Sequence, residues 1–227
     1  MKTMVDRWMI HSEKDFYSEV ERLKLRQSVL ALKRKWTMVT GQDAIGYSPA
    51  KKTFFYTLGD SLYEMESNDK KEEDINRDTQ KILLKEFKWI YDRIFKRIED
   101  LIGKKVKLYN GLTVPGFHIS QVPIQYSPSY YHQDRSILLY RPDVDMNTVH
   151  SVLLLIEKPK NGAWLDYLDK DGNKCVKNYH YGQFNMWKST MLHKIGGFFT
   201  LPGEQRITLQ CHYCTDPNDN KTILVYF

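Results

Sequence analysis

Residues 183–213 read QFNMWKSTMLHKIGGFFTLPGEQRITLQCHY. Three strand-like runs, 183–187, 195–199 and 207–213, are broken by the turn-like Lys188-Ser189-Thr190 and by Pro202-Gly203. The pattern extends outward to 105–109, 117–122, 136–140, 150–157, 163–168 and 222–227, with Pro115-Gly116, Asn161-Gly162 and Asp171-Gly172 as punctuation. Many short strands with turn signals at this spacing predict a sandwich, barrel or jelly roll rather than alternating parallel units.

Before Gly103 the period of the apolar residues changes. From Ser12, with Asp15 three residues on as a variant capping box, Phe16, Val20, Leu23, Leu30 and Ala31 predict an amphipathic helix over 12–35. Short strands follow at 36–40 and 53–58 around a turn-rich loop holding Gly41 and Gly46. The strongest helical signal runs over 74–102, where Leu83, Leu84, Phe87, Ile90, Tyr91, Ile94, Ile98, Leu101 and Ile102 mark one face. Lys85, Lys88, Arg93, Lys96 and Arg97 occupy the other side and Gly103 stops it. Such a helix packs its apolar stripe on a sheet, and the mixed charges of 68–74 before it read as an exposed linker. The expectation is one α+β domain over 1–227, with 1–104 as mainly helical support carrying short strands and 105–227 as the β core.

Composition limits the classes available. Of 227 residues, 41% are hydrophobic and 27% charged, an ordinary globular balance, and no run of apolar residues is long enough to span a membrane. Three cysteines (Cys175, Cys211, Cys214) are too few for a secreted disulfide framework, and the N-terminus lacks a signal-peptide core, so the expected setting is cytoplasmic. A net charge of +6 selects no partner class, because a modest excess is usually a solvated surface. Cys211-His212-Tyr213-Cys214 resembles a C-x-x-C element, but there is no second pair. On a strand its thiols point to opposite faces, so inert buried thiols are expected. The glycines of Gly196-Gly197 and Gly203 are not followed by the lysine and hydroxyl of a phosphate-binding loop.

Chemistry concentrates among the seven histidines. In His132-Gln133-Asp134 the first and third side chains share a face on an extended chain, so an imidazole and a carboxylate can converge on one ion. His193, at the start of a strand, is the candidate for a third ligand. Two histidines and one carboxylate on one face of an octahedral ion leave three positions open. Further on, Arg206 and Thr208 share a face and together can hold a carboxylate, with Gln210 and His212 continuing that face.

His132-x-Asp134, His193 and Arg206-x-Thr208, in that order, resemble the Fe(II)/2-oxoglutarate-dependent dioxygenase superfamily. Residues 152–156 and 161–165 are similar to the apolar strand and glycine-containing turn between the ligands there, and 56–59 and 119–131 to upstream elements. The likeness covers about 105–213. It implies a double-stranded β-helix core, of the jelly-roll or cupin-like type, buttressed by N-terminal helices. It implies Fe(II) held by His132, Asp134 and His193, 2-oxoglutarate chelating that iron, and Arg206 with Thr208 gripping its far carboxylate. Dioxygen, with ascorbate as an auxiliary reductant, would convert 2-oxoglutarate to succinate and CO2 while a substrate C–H bond is hydroxylated. Asp134 argues against the halogenating branch, which carries a small residue there. His212 weakens a nucleic-acid demethylase reading, which would place a second arginine at that position. Gln121, Tyr126, Tyr130, Tyr131 and Arg135 flank the first ligands and, with Gln210 and His212, are candidates to position a small-molecule substrate such as an amino acid or biosynthetic intermediate. Two alternatives stay open: an iron-dependent oxidase that uses no 2-oxoglutarate, and a non-catalytic jelly-roll binding protein.

Overall fold

A computed structural model describes residues 10–40, 54–67, 69–121, 125–126, 131–199 and 201–227. The chain opens with strand β1 (Ile10–Glu13), helix α1 (Glu19–Ala31) and strands β2 (Thr37–Thr40) and β3 (Phe54–Leu58). Helices α2 (Leu62–Ser67), α3 (Arg77–Glu86) and α4 (Lys88–Ile102) follow, then β4 (Lys105–Leu108), β5 (Gly116–Ser120) and β6 (Gln125–Tyr126). After the short helix α5 (Ile137–Tyr140) come β7 (His150–Glu157), β8 (Asn161–Gly162), β9 (Leu165–Leu168), β10 (Lys174–Lys177) and β11 (Phe184–Lys188). The chain ends in β12 (His193–Ile195), β13 (Phe198–Phe199), β14 (Arg206–Asp216) and β15 (Asp219–Tyr226).

A nine-stranded sheet runs β1-β11-β7-β14-β5-β3-β2, with β15 paired to β14 and β4 paired to β15. Two three-stranded sheets, β10-β9-β12 and β6-β13-β8, complete the β structure of the described residues. The pairing among β11, β7, β14 and β5 is antiparallel throughout. Strands β1 and β3 come from the N-terminal half yet join the large sheet, so the helical support and the β core share one sheet. No helix among the described residues is long and apolar enough to cross a membrane.

One face of the large sheet carries Val152, Leu154, Phe117, Ile119, Leu209 and Tyr213, which pack against Leu83, Phe87, Ile90, Ile94 and Ile98 of the helices and against Leu25 and Val29 of α1. Burying an aliphatic or aromatic side chain of this size contributes about 1.5–3 kcal/mol, so this layer dominates the fold's stability. β7 is buried at every position but its last, because helices cover one face while the other turns inward toward the smaller sheets.

Several sequence expectations change. The first helix begins at Ser18, not Ser12: the Ser18 hydroxyl and the Glu21 carboxylate form a reciprocal capping box. Ser12 lies in β1, where its hydroxyl donates to Asn185 at 2.9 Å. Val20, expected on the apolar face, is 77% exposed. The long helix is two helices joined at Phe87, whose ring is fixed against Phe117 with centroids 4.6 Å apart. Asn76 caps the first of them and Gly103, at φ +73°, ends the second in the left-handed conformation that glycine favours. The predicted strand over 136–140 is instead α5, closed by the Arg141 amide donating to the Ile137 carbonyl at 2.8 Å. The strand expected over 195–199 is split between β12 and β13 at Gly196-Gly197. Cys211 and Cys214 are both buried, in different apolar clusters, as opposite faces of one strand require.

Candidate active site

His132 and His193 meet by backbone pairing. The His132 amide donates to the His193 carbonyl at 2.9 Å and the His193 amide returns a bond to His132 at 3.0 Å. Two residues on, the Asp134 amide donates to Ser189 at 2.9 Å, and the Gln133 side-chain amide donates to the Thr190 carbonyl. The His-x-Asp segment is thus one isolated bridge rather than a full strand, laid across the turn between β11 and β12. It still presents its alternate side chains on one side. The imidazole centroids of His132 and His193 lie 4.6 Å apart.

Asp134 lies between them. Its Oδ1 is 3.7 Å from His132 Nε2 and its Oδ2 is 3.4 Å from His193 Nε2. One ligand atom from each of the three lies within 4.8 Å of the others, and no other such group occurs among the described residues. Ligands about 2.0–2.2 Å from one ion sit about 3 Å apart at right angles, so a small contraction brings these three onto a single ion. His193 Nδ1 lies 2.9 Å from the Met191 carbonyl, which can only accept, so Nδ1 carries the proton and the Nε2 lone pair faces the carboxylate.

Electrostatics favour the ligating forms. Burial opposes ionisation of Asp134, but the imidazoles of His193, His212 and His132 and a hydrogen bond from the Ser151 hydroxyl bring its carboxyl down to about 2. Burial lowers the His193 imidazole from its ordinary value, with Asp134 pulling the other way. At neutral pH the site therefore holds one carboxylate and a neutral His193. Behind it, Ser151 Oγ contacts Ser189 Oγ at 2.7 Å and His212 Nδ1 at 3.1 Å. Asp134 is thus held from behind by a hydroxyl that is itself held on two sides.

A cavity of about 370 Å³ opens from these groups between the large sheet and the smaller ones. Its floor is the inward face of β14 and its neighbours, including Arg206, Gln210, His212, His118 and Ser120. Arg206 is only 2% exposed, and its Nη1 reaches Thr208 Oγ1 at 3.5 Å. Thr208, fully buried, also accepts from Gln210 Nε2 at 3.2 Å. Tyr179 shares the cavity; burial pushes its phenol up while Arg206 pulls it down.

His132, Asp134, His193, Arg206, Gln210 and His212 line this cavity, and Thr208 braces it. Gln121, Tyr131 and Arg135 are not among its lining residues: Gln121 donates to Gln205 at 3.0 Å, Lys194 lies over the Tyr131 ring, and Arg135 is exposed. The Tyr126 backbone pairs with Phe198 in β6, and Tyr130 lies outside the described residues. Sequence reasoning missed His118, Ser151, Tyr179 and Trp187. Two of these had a usable signal, since His118 stands opposite Thr208 and Ser151 opposite His212 in the strand register.

The sequence matches no family model and no curated protein. The structure does resemble solved ones. An oxidoreductase of the 2OG-Fe(II) oxygenase family from Burkholderia pseudomallei is 12% identical over 89% of this chain and 83% of its own, with a TM-score of 0.53. A prolyl hydroxylase from Trichoplax adhaerens, solved with a hypoxia inducible factor oxygen degradation domain peptide fragment, is 12% identical over 95% and 87%, with a TM-score of 0.55. A prolyl-4-hydroxylase from Pseudomonas putida is 13% identical over 92% and 94%, with a TM-score of 0.51. This chain has the fold of the 2OG-Fe(II) oxygenases, as its spaced histidine, aspartate and arginine motif suggests.

Proposed function

We propose that this chain is a non-haem iron oxygenase, an oxidoreductase that couples oxidative decarboxylation of 2-oxoglutarate to hydroxylation, or a related C–H oxidation, of a small molecule. The observation that carries the reading is the convergence of His132, Asp134 and His193 at one mouth of a cavity that also contains a buried arginine. The pairing of β11, β7, β14 and β5 opposite β10, β9 and β12, with His132 bridged to His193, supports a double-stranded β-helix.

The donor set fits the group. Two imidazoles and a carboxylate on one side suit Fe(II) with open positions, and His132, Asp134 and His193 would hold it. When bound, iron and 2-oxoglutarate supply, with dioxygen, an oxidant strong enough for an unactivated C–H bond, leaving succinate and CO2. Asp134, ionised at neutral pH, offsets part of the metal charge, and Ser151 fixes its rotamer. The Met191 carbonyl sets the His193 tautomer so that Nε2 is free to ligate. Arg206 supplies a planar fork for the far carboxylate, a bidentate contact that lysine would match poorly. Thr208 orients that guanidinium from below. The largely apolar walls exclude water, which strengthens each of these contacts.

The test is succinate formation under Fe(II), ascorbate and dioxygen with 2-oxoglutarate supplied. Stoichiometric succinate and CO2 support the reading. Substrate oxidation that proceeds unchanged without 2-oxoglutarate assigns an iron oxidase instead, and protein that retains no metal leaves a binding jelly roll.

A further inference from the structure

The cavity's inward strand β14 runs from Arg206 through Thr208 and Gln210 to His212, and its two ends differ. Asp134 lies at the His212 end, 3.9 Å from His212 Nδ1. Beside its middle, where Thr208 and Gln210 stand opposite His118 and Gly116, four rings close on one another. His118 packs against Phe55, Tyr63 and Phe227 with centroids 5.4, 5.8 and 5.1 Å away, and Phe55 stacks on Tyr63 at 6.1 Å. Gly116, opposite Gln210, makes room for the fourth ring: a Cβ there would lie 2.3 Å from Phe227. These rings come from β3, α2, β5 and the residue after β15, and all of them line the cavity.

The charge inventory is short. Asp134 and Arg206 are the only Asp, Glu, Lys or Arg side chains among the described lining residues. His118, which belongs to the box itself, is held down at about 3 by burial, with Arg206 adding to it. If the metal takes Asp134 and the co-substrate takes Arg206, nothing described in the cavity is left to pair an ammonium or a carboxylate. An unpaired ion taken out of water costs several kcal/mol. A flat apolar ring loses nothing on entry and gains stacking with the box, worth about 0.5–1.5 kcal/mol per aromatic pair beyond its buried area.

We propose that the substrate is an uncharged, ring-bearing small molecule, seated in the box of Phe55, Tyr63, His118 and Phe227 in the cavity that the metal ligands share, and not a free amino acid. This rests on the metal and co-substrate reading above. Ring faces also attract onium ions, and tetramethylammonium in the experiment separates that reading from this one.

The experiment is equilibrium dialysis of Mn(II)-loaded protein with 2-oxoglutarate against matched pairs, indole with tryptophan and 4-methylphenol with tyrosine, and against tetramethylammonium. Each neutral compound should bind at least about 30-fold tighter than its amino-acid counterpart, the ratio that two to three kcal/mol of unpaired-charge cost produces. Phe55→Ala and Phe55→Leu should each weaken indole about tenfold and leave Mn(II) and 2-oxoglutarate retention unchanged; the leucine variant keeps the apolar bulk if the alanine variant folds poorly. Amino acids or tetramethylammonium binding as tightly as the neutral rings, or no retention of either neutral ring, overturns the proposal while 2-oxoglutarate is still held. Failure to retain 2-oxoglutarate overturns the functional reading itself, and this one with it.

Discussion

Over Arg206–Leu209 the two faces of strand β14 are equally hidden from solvent and chemically opposite. Ile207, Leu209, Cys211 and Tyr213 point to the helices and are at most 1% exposed. Arg206 and Thr208 point the other way, at 2% and 0%. Burial alone therefore does not separate core from site. The difference lies in cost: the apolar face gains free energy by leaving water, whereas a guanidinium and a hydroxyl placed inside need partners to break even. Buried polarity concentrated on one face, alternating with a hydrocarbon face, marks where stability has been exchanged for a ligand.

The sharpest way to break the comparison is to substitute each face and read both stability and binding. Phe117→Ala, on the helix face, should lower the unfolding free energy by about 3–5 kcal/mol in urea titrations while the folded fraction keeps its Mn(II) affinity. Asp134→Ala, on the cavity side, should do the reverse. Its metal affinity should fall more than about a hundredfold by calorimetry, beyond what loss of a supporting group costs, with no comparable loss of stability. Equal effects on both quantities from both variants would dissolve the distinction.

Smaller effects sharpen it. Arg206→Ala should raise the 2-oxoglutarate requirement about 10–100-fold, the value of a hydrogen-bonded ionic contact, and leave the metal in place; loss of metal with unchanged co-substrate dependence would contradict its role. Ser151→Ala should weaken Mn(II) binding about tenfold by freeing the Asp134 carboxylate, and Ser151→Thr, which keeps the hydroxyl, should recover most of it. A last effect is a slope in pH. Below the ordinary imidazole value of 6.5 the unfolded chain takes up a proton at His118 that the folded chain does not accept until about pH 3. The unfolded state then binds more protons, so stability falls as pH drops through that interval, by at most about 1.4 kcal/mol per pH unit from this one site. His118→Phe should flatten that part of the profile in urea titrations at stepped pH.

Legibility in the sequence followed the same divide. His132, Asp134, His193, Arg206 and Thr208 stand out because residue type and spacing suffice to nominate them, and the structure gathers them around one cavity. The helix stripe from Leu83 to Ile98 is legible because a period of 3.6 residues persists over many turns. His118 and Ser151 are not nominated, since each acquires its role from a strand partner remote in sequence, Thr208 and His212 respectively. A serine within an otherwise apolar run carries no local mark. The four residues of α5 misread as a strand because Ile137-Leu138-Leu139-Tyr140 is too short for its period to show. β1 and β10, as Ile10-His11-Ser12-Glu13 and Lys174-Cys175-Val176-Lys177, hold too few apolar residues to announce strands and owe their form to their neighbours.

The proposal that His132, Asp134 and His193 hold iron while the buried Arg206 grips its co-substrate is tested most directly by calorimetric titration of anaerobic protein with Fe(II) and then with 2-oxoglutarate. The expected result is one ion per chain and 2-oxoglutarate binding that requires the ion, with ion binding lost in His193→Ala and co-substrate binding alone weakened in Arg206→Ala. Binding of 2-oxoglutarate with equal affinity in the presence and absence of Fe(II), or wild-type iron affinity in His193→Ala, would contradict it.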